Sequence, residues 1–344
     1  TGAWILILVI PIVDVAVGAD GRSPPDNVIA ALQDDRYYRW CTYLFVPLQS
    51  AGLVFAAWCW AHAPMATGEK IALAMTVGVV AGVGINAAHE LGHKSSRLER
   101  RLAKIVLAQS FYGHFYIEHN HGHHVNVATP RDPASARFGE SFWIFLPRSI
   151  FGGLKSGWRI ESARLRRQGS PALSPRNNIV QAWSLSAALF GTLINLFGWQ
   201  ILPWLLLQAL AGITFLEAAN YLEHYGLLRA RRQDGSFVKA RPEDSWNSDH
   251  LLSNLFLYQL QRHSDHHANF GRIFKQRRQA AHHEDARCDH RCRVDQRGDG
   301  CRAFHRVRQP SVQAKLGRLA HRADEQQDAE QRDRINPIAK EADG

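Results

Sequence analysis

The sequence predicts an all-α protein, a polytopic membrane helix bundle with a histidine-rich site at one face. Three observations predict this fold class. Five apolar segments approach the length of a membrane-spanning helix, Lys and Arg accumulate in only some of the connections, and histidines cluster where predicted spans end. The average hydropathy would suit a soluble protein, but the apolar residues are concentrated in these segments and sparse in the last quarter of the chain.

The predicted spans follow from length, since a helix of about 20 apolar residues crosses the hydrocarbon core of a bilayer. About five are present, at residues 2–18, 41–61, 71–92, 178–198 and 200–220. A weaker run over 103–117 carries polar residues and predicts a helix at the interface or re-entering the protein. The first run has no methionine and no basic segment before it, so we expect a membrane helix with upstream sequence missing rather than a signal peptide.

The placement of Lys and Arg predicts which connections are cytoplasmic. Residues 94–177 and the start of the segment after residue 220 are heavily basic, mainly through Arg, whereas the connection 62–69 contains neither Lys nor Arg. Because basic connections remain in the cytoplasm, both basic regions are predicted to lie there. We attribute the meaning of the net charge of +10 to where the basic residues lie, at the predicted cytoplasmic connections, and expect no nucleic-acid partner.

Composition divides the chain at residue 269. Residues 1–269 hold every apolar run and are predicted to form one integral-membrane domain. Residues 270–344 are dense in Arg, Asp, Gln and His and show no helical or strand periodicity. Such a composition cannot bury enough apolar surface to offset its ordering entropy, which predicts a disordered tail. An alternative is a segment translated out of frame.

The chain has 18 histidines, and nine of them fall into four clusters at the predicted cytoplasmic boundary. The motifs "HELGHK", "EHNHGHH", "NYLEHYG" and "QRHSDHH" contribute His89, His93, His119, His123, His124, His224, His263, His266 and His267. Nine imidazoles exceed the ligands that one first-row ion can use, so the clusters predict a dimetal site. Imidazole binds Fe, Zn, Cu and Ni, so ligand type alone leaves the metal open.

Each cluster also carries a carboxylate beside a histidine: Glu90, Glu118, Glu223 and Asp265. A carboxylate commonly accepts the ring N–H opposite a metal-bound nitrogen, and we expect these four to do so. No catalytic residue beyond the metal ligands and no organic cofactor site is predicted. His114 and His250 are secondary candidates for shaping the site, and His121 is excluded.

Two other classes of protein fit parts of the pattern. The stretch "HELGH" matches H-E-x-x-H, in which two histidines bind zinc and Glu90 is the general base of a metalloprotease. That interpretation leaves seven clustered histidines unexplained. A histidine-rich transporter would place its ligands near the bilayer midplane, whereas these clusters are predicted at one face.

The four histidine motifs together resemble the membrane-bound alkane hydroxylases (alkane 1-monooxygenases), and the resemblance extends over residues 4–269 through "DRYYRW", "VATPRDPASARFGE" and "SWNSDHLLSN". It implies six spans and two non-haem Fe ions held by the nine histidines. The implied reaction is O2-dependent hydroxylation of medium-chain n-alkanes to 1-alkanols. Rubredoxin and an NAD(P)H-dependent rubredoxin reductase would supply the electrons, and the location would be the bacterial inner membrane with the site facing the cytoplasm.

The nearest alternative is a related membrane diiron enzyme, either a fatty-acid desaturase or an aromatic side-chain hydroxylase. Desaturases share the histidine spacing, but the combination of "NYLEHYGL" with "LQRHSDHH" favours the alkane hydroxylases. A channel for the alkane is expected among the spans, with Trp4, Leu6, Trp58 and Trp60 as candidates for setting chain length.

Overall fold

The structure is a computed structural model that describes residues 5–19, 36–93, 96–258 and 267. The chain enters through a π-helical turn, Ile5–Val9, which continues into α1 (Ile10–Val17). The helices α2 (Arg36–His62) and α3 (Thr67–Gly92) follow, then α4 (Arg97–Ala108) and the short α5 (Phe115–Glu118). After a π-helical turn, His119–His123, come α6 (His124–Asn126), α7 (Phe142–Arg167), α8 (Asn178–Phe197), α9 (Leu202–His224) and α10 (Leu251–Phe256). No strand occurs within these described ranges, which confirms the all-α prediction.

Four helical segments are long and apolar enough to cross a membrane: Arg39–His62, Thr67–Gly92, Asn178–Phe197 and Trp199–His224. They coincide with the second to fifth predicted spans, so the chain is a multi-pass membrane protein. The first predicted span differs, because its described part is an apolar helix of only Ile7–Val17. At 1.5 Å per residue this helix covers roughly half of a hydrocarbon core about 30 Å thick.

The helix α1 is tied by a buried carboxylate to α10, which lies 238 residues later in the chain. Asp14 accepts hydrogen bonds from the backbone N–H groups of Leu252 (2.7 Å) and Ser253 (3.0 Å), at the start of α10. A carboxylate at this position satisfies N–H groups that the helix leaves without partners. The apolar helix therefore packs beside α10 rather than standing alone in the bilayer.

The bundle is built around a very close contact between α3 and α9. A Cβ atom at Gly78 would lie 2.5 Å from Ala211 Cβ, and one at Gly82 would lie 2.6 Å from Phe215 Cδ1. Membrane helices associate closely where small residues let their backbones approach. Because α3 and α9 both end in predicted ligands, His89 and His224, this contact fixes the separation of two histidine clusters.

The interface helix differs from its prediction over residues 103–117. The helix α4 begins earlier, at Arg97, and ends at Ala108, and Phe111 then adopts a positive φ of 57°. Its buried face includes Ala103, Val106 and Leu107, while its basic residues lie on the other side. The predicted division of the chain at residue 269 lies outside the described residues.

Candidate metal centre

Seven of the nine predicted histidine ligands are described, and the structure brings their side chains together in two adjoining groups. In each group one nitrogen per residue lies within 4.8 Å of the others. The first group contains His89, His93, His119 and His124, and the second contains His123, His224 and His267. His263, His266 and the neighbouring Asp265 lie outside the described residues.

The first group combines two helical geometries. His89 and His93 stand one turn apart at the end of α3, and their Nε2 atoms are 3.0 Å apart. His119 and His124 are five residues apart, a spacing that an α-helix would direct to different sides. The π-helical turn His119–His123 aligns residues five positions apart, and the Nε2 atoms of His119 and His124 are 3.0 Å from each other.

The second group draws on distant parts of the chain. His123 Nε2 lies 3.2 Å from His267 Nε2, and the ring centroids of His123 and His224 are 4.8 Å apart. His224 is the last residue of α9 and is fully buried. The groups adjoin because His123 and His124 are consecutive, and because the rings of His124 and His267 are 4.7 Å apart.

This donor set fits metal ions. Ligand nitrogens 2.0–2.1 Å from one ion, at angles of 90–110°, lie roughly 2.9–3.4 Å from each other. Three Nε2 pairs, at 3.0, 3.0 and 3.2 Å, fall in that range. Burial and the neighbouring imidazoles lower the pKa of His119 well below its usual range. The ring therefore stays neutral, which is the form that binds metals.

Asp132 orients His123, and the sequence analysis did not identify it. Its Oδ2 lies 2.9 Å from His123 Nδ1, and both side chains are buried. Ser135 Oγ and the backbone N–H of Ala134 also donate to this carboxylate. Although burial opposes the effect, Asp132 raises the pKa of His123. The contact directs Nε2 of His123 towards His267, as a carboxylate partner does in many metal sites.

The loop that carries Asp132 is held by Arg148 of α7. The guanidinium donates to the backbone oxygens of Pro133 (2.9 Å) and Ser135 (3.1 Å). It also forms a bidentate pair with Glu140, with N–O distances of 2.7 Å. The hydrogen bonds from Arg148 hold the pKa of Glu140 below its ordinary value. Asp132 is thus positioned by a clamp outside the histidine groups.

The predicted carboxylates that the structure describes are all buried near the histidines. Glu90 Oε1 lies 3.8 Å from His89 Nδ1, which is longer than a hydrogen bond. Burial raises the pKa of Glu118 to about 8, and its carboxyl oxygen occupies space that a Cβ at Gly122 would fill. Glu223 is 8% exposed and lines the apolar cavity described below.

The secondary histidines have different surroundings. Burial lowers the pKa of His114 to about 4, and His114 lines a space of about 10 Å³ beside Glu118 and His119. This volume is about that of one water molecule. His250 is exposed and pairs with Ser248, and His121 is exposed on the π-helical turn.

A buried carboxylate on α9 also borders that space. Glu217 Oε1 accepts a hydrogen bond of 2.7 Å from Tyr112 Oη, and Glu217 is 2% exposed. The sequence analysis missed this residue as well. Its position inside an apolar span was a usable signal, because acids within membrane helices are costly unless they serve a function.

An apolar cavity of about 410 Å³ lies in the bundle near the helix ends that carry the histidines. Its walls come from α1, α3, α9 and α10 and include Ile7, Ile10, Val83 and Phe215. Asn86 and Glu223 are among its polar lining residues: Asn86 lies three residues before His89, and Glu223 directly precedes His224. The size and lining are those of a site for a small apolar molecule.

Trp58 and Trp60, two of the residues predicted to shape such a channel, lie elsewhere. Trp58 is half exposed and stacks on Phe55 and His62, near the end of α2 away from the histidines. Trp60 is buried at that same end and donates to Lys70 O. The side chains of Trp4 and Leu6 are not among those described.

Several known proteins are similar to this chain in sequence. A family model described as fatty acid desaturase matches residues 70–297. The chain is 43% identical to the alkane 1-monooxygenase of Acinetobacter baylyi over 274 residues, covering 80% of this chain and 67% of that protein. The alkane 1-monooxygenase of Ectopseudomonas oleovorans is 46% identical over 266 residues, with 77% and 66% covered. Alkane 1-monooxygenase 2 of Pseudomonas aeruginosa is 39% identical over 290 residues, with 82% and 76% covered.

The chain spans about two thirds of the length of the first two relatives. The matched region includes both histidine groups and the walls of the apolar cavity that α3 and α9 provide. Sequence, fold and site agree: the chain belongs to the fatty acid desaturase family and, within it, to the membrane-bound alkane 1-monooxygenases.

Proposed function

We propose that this protein hydroxylates the terminal methyl group of medium-chain n-alkanes, consuming O2, two electrons and two protons and releasing a 1-alkanol and one water. The observation that carries the proposal is the convergence of seven histidines, five of them buried, next to an apolar cavity lined by Glu223, the residue that directly precedes His224. Relatives at 39–46% identity are named alkane 1-monooxygenases, which supports this substrate over the fatty acids of a desaturase.

The proposed cofactor is a pair of non-haem irons held by the nine histidines, including His263 and His266. Bound iron would supply the reduction of O2 and the oxidising power needed to cleave an unactivated C–H bond. The chain's own residues provide neutral nitrogen donors, orient them through contacts such as that of Asp132 with His123, and exclude bulk water by burial. Four carboxylates are proposed to orient the ligands by accepting the ring N–H opposite the metal-binding nitrogen: Glu90, Glu118, Glu223 and Asp265.

The alkane is proposed to occupy the 410 Å³ cavity, with its methyl end towards Asn86 and Glu223. An alkane offers no polar group, so apolar contact and the length of the cavity must position it. Phe215 is well placed to limit that length, because its ring packs against Gly82 at the α3–α9 contact. An opening between membrane helices would admit an insoluble substrate directly from the bilayer.

Rubredoxin, reduced by an NAD(P)H-dependent reductase, is the proposed electron donor. The connections on the histidine side of the membrane are rich in Arg and Lys, and an acidic electron carrier would be steered towards them. The same charge bias supports the bacterial inner membrane as the location, with the site facing the cytoplasm.

The proposal is tested by metal content and product together. The purified full chain should contain about two irons, and with octane, rubredoxin and its reductase it should form 1-octanol detected by gas chromatography. One zinc with no iron would support the metalloprotease alternative. Iron with an unsaturated acyl product, or with turnover of xylene alone, would assign the chain to a neighbouring diiron class.

A pair of histidine variants tests the residue assignment. His224→Ala removes a fully buried member of the second group, so iron content and octane turnover should both fall at least tenfold. His121→Ala alters an exposed ring on the same side of the protein and should leave both nearly unchanged. Equal behaviour of the two variants would contradict the assignment.

A further inference from the structure

A second depression lies on the protein surface and shares no lining residue with the apolar cavity or the histidine groups. It is a groove of about 760 Å³ between α4, the loop before α8 and the first turns of α8. Ile105, Leu173, Val180 and Leu185 form its apolar walls, and Arg101 and Lys104 lie at one side. We propose that this groove binds one anionic phospholipid, with an acyl chain in the groove and the phosphate at Arg101 and Lys104.

The groove lies at the level where a span enters the membrane. Asn178 is the first residue of the span α8, and Val180 and Leu185 are in its first two turns. Leu173 is 79% exposed and Leu185 is 40% exposed, an exposure that suits lipid better than water. Trp158 and Trp183 stack at this level with centroids 6.2 Å apart, and tryptophan is enriched at membrane interfaces.

The polar side of the groove has an excess of positive charge. The Lys104 ammonium donates to Asn178 Oδ1 and Gln181 Oε1, both at 2.7 Å, which holds it at the groove. Arg101 is exposed on the same helix. The nearby acid Glu161 is already bound, bidentately by Arg164 and by the Asn178 backbone N–H at 2.7 Å.

A basic amphipathic helix beside an apolar groove is the pattern that attracts anionic lipid headgroups. An acidic protein such as rubredoxin would find the same cations, but the exposed leucines at bilayer level favour a lipid. The consequence concerns the candidate metal centre, because α4 connects His93 to His119. A lipid seated between α4 and α8 would brace the segment that joins the two halves of the first histidine group.

The test is lipid binding by the delipidated full chain in neutral detergent. Native mass spectrometry would count bound dioleoyl-phosphatidylglycerol against dioleoyl-phosphatidylcholine, and thermal unfolding would measure the protection that each provides. The wild type should bind one phosphatidylglycerol in preference. Inorganic phosphate serves as a third ligand, and equal protection by phosphate would overturn the assignment to a lipid.

Three variants locate the site. Arg101→Gln should weaken phosphatidylglycerol binding about fivefold, since one cation near a membrane surface contributes about 1 kcal/mol. Ser184→Trp should block the groove without changing charge, and Ser184 is an exposed lining residue. Arg167→Gln removes an equal charge outside the groove and should change nothing.

The proposal fails if Ser184→Trp binds phosphatidylglycerol as the wild type does, or if Arg167→Gln weakens it as much as Arg101→Gln. It also fails if Arg101→Gln leaves lipid binding intact and only raises the rubredoxin concentration needed for turnover. The lipid-binding and thermal-unfolding measurements need no turnover, so they separate this proposal from the proposed function.

Discussion

Asp132→Asn is expected to weaken metal binding at the second histidine group while leaving the first group intact. In the native protein, Oδ1 of Asp132 accepts from Ala134 N at 3.1 Å, and Oδ2 faces His123 Nδ1 at 2.9 Å and Ser135 Oγ. An asparagine that keeps the Ala134 bond presents its NH2 group to His123. The imidazole must then accept at Nδ1, which moves its proton to Nε2.

The protonated Nε2 is the atom that faces His267, so it can no longer bind a metal ion. Loss of such a carboxylate partner typically weakens metal affinity ten- to hundredfold, which is about 1.4–2.7 kcal/mol. The first group, His89, His93, His119 and His124, makes no use of this contact. The variant should therefore retain one strong metal site and lose most of the other.

The assay is titration of metal-free protein with Co²⁺, followed by visible absorption and by equilibrium dialysis. The wild type should bind two ions with similar strength, and Asp132→Asn should show one strong and one weakened site. Asp234→Asn, on an exposed turn, is the matched control and should behave as the wild type. Two unweakened sites in Asp132→Asn would refute the reasoning, as would an equal loss of both sites with the thermal midpoint preserved.

Three further outcomes follow from the packing and charges. Gly78→Val should lower the free energy of unfolding by about 1–3 kcal/mol, because its Cβ has no room at the α3–α9 contact. Thermal unfolding in detergent would compare it with Gly52→Val, whose Cβ meets nothing within 4 Å, and an equal loss in both variants would contradict the close contact. Phe215→Ala should extend turnover towards longer alkanes in competition assays, while Trp58→Ala at the opposite end should not, and the reverse order would reinstate the tryptophan hypothesis. Glu140→Gln removes an ion pair with Arg148 that contributes about 1 kcal/mol at neutral pH. Because the pKa of Glu140 is lowered in the folded state, this stability is lost in acid, and the thermal unfolding midpoints of variant and wild type should converge below pH 4.5. Midpoints that differ equally at all pH values would contradict this.

The features that could be predicted from sequence are those encoded by local composition. Apolar length gave the spans that became α2, α3, α8 and α9, because a bilayer imposes one length on every helix that crosses it. The histidine clusters were recognisable because the charge bias placed all of them at one membrane face. The four motifs could therefore be assigned to one site before the packing of the helices was known.

The features that could not be predicted depend on tertiary contacts. Asp132 lies in an irregular loop, and its carboxylate meets His123 through contacts of that loop with Ala134, Ser135 and Arg148 that local sequence does not reveal. The π-helical turn that aligns His119 with His124 has no recognisable signal in "HNHGH". Trp58 and Trp60 of α2 are not among the described residues that line the apolar cavity. An apolar run does not reveal which face or which end of a helix borders a cavity.

The two histidine groups differ in how much of the chain must exist before they can form. The described members of the first group lie within residues 89–124, whereas the second group joins His123 to His224 and His267. Closing the longer loops costs little extra free energy, because loop-closure entropy grows only slowly with length. The difference therefore concerns biogenesis. Every described donor of the first group has been synthesised soon after α3 is inserted, whereas the second group is complete only after two further spans and the segment that follows them. We expect the two metal positions to fill in order during synthesis, and a chain cut short before α9 to be a one-metal protein.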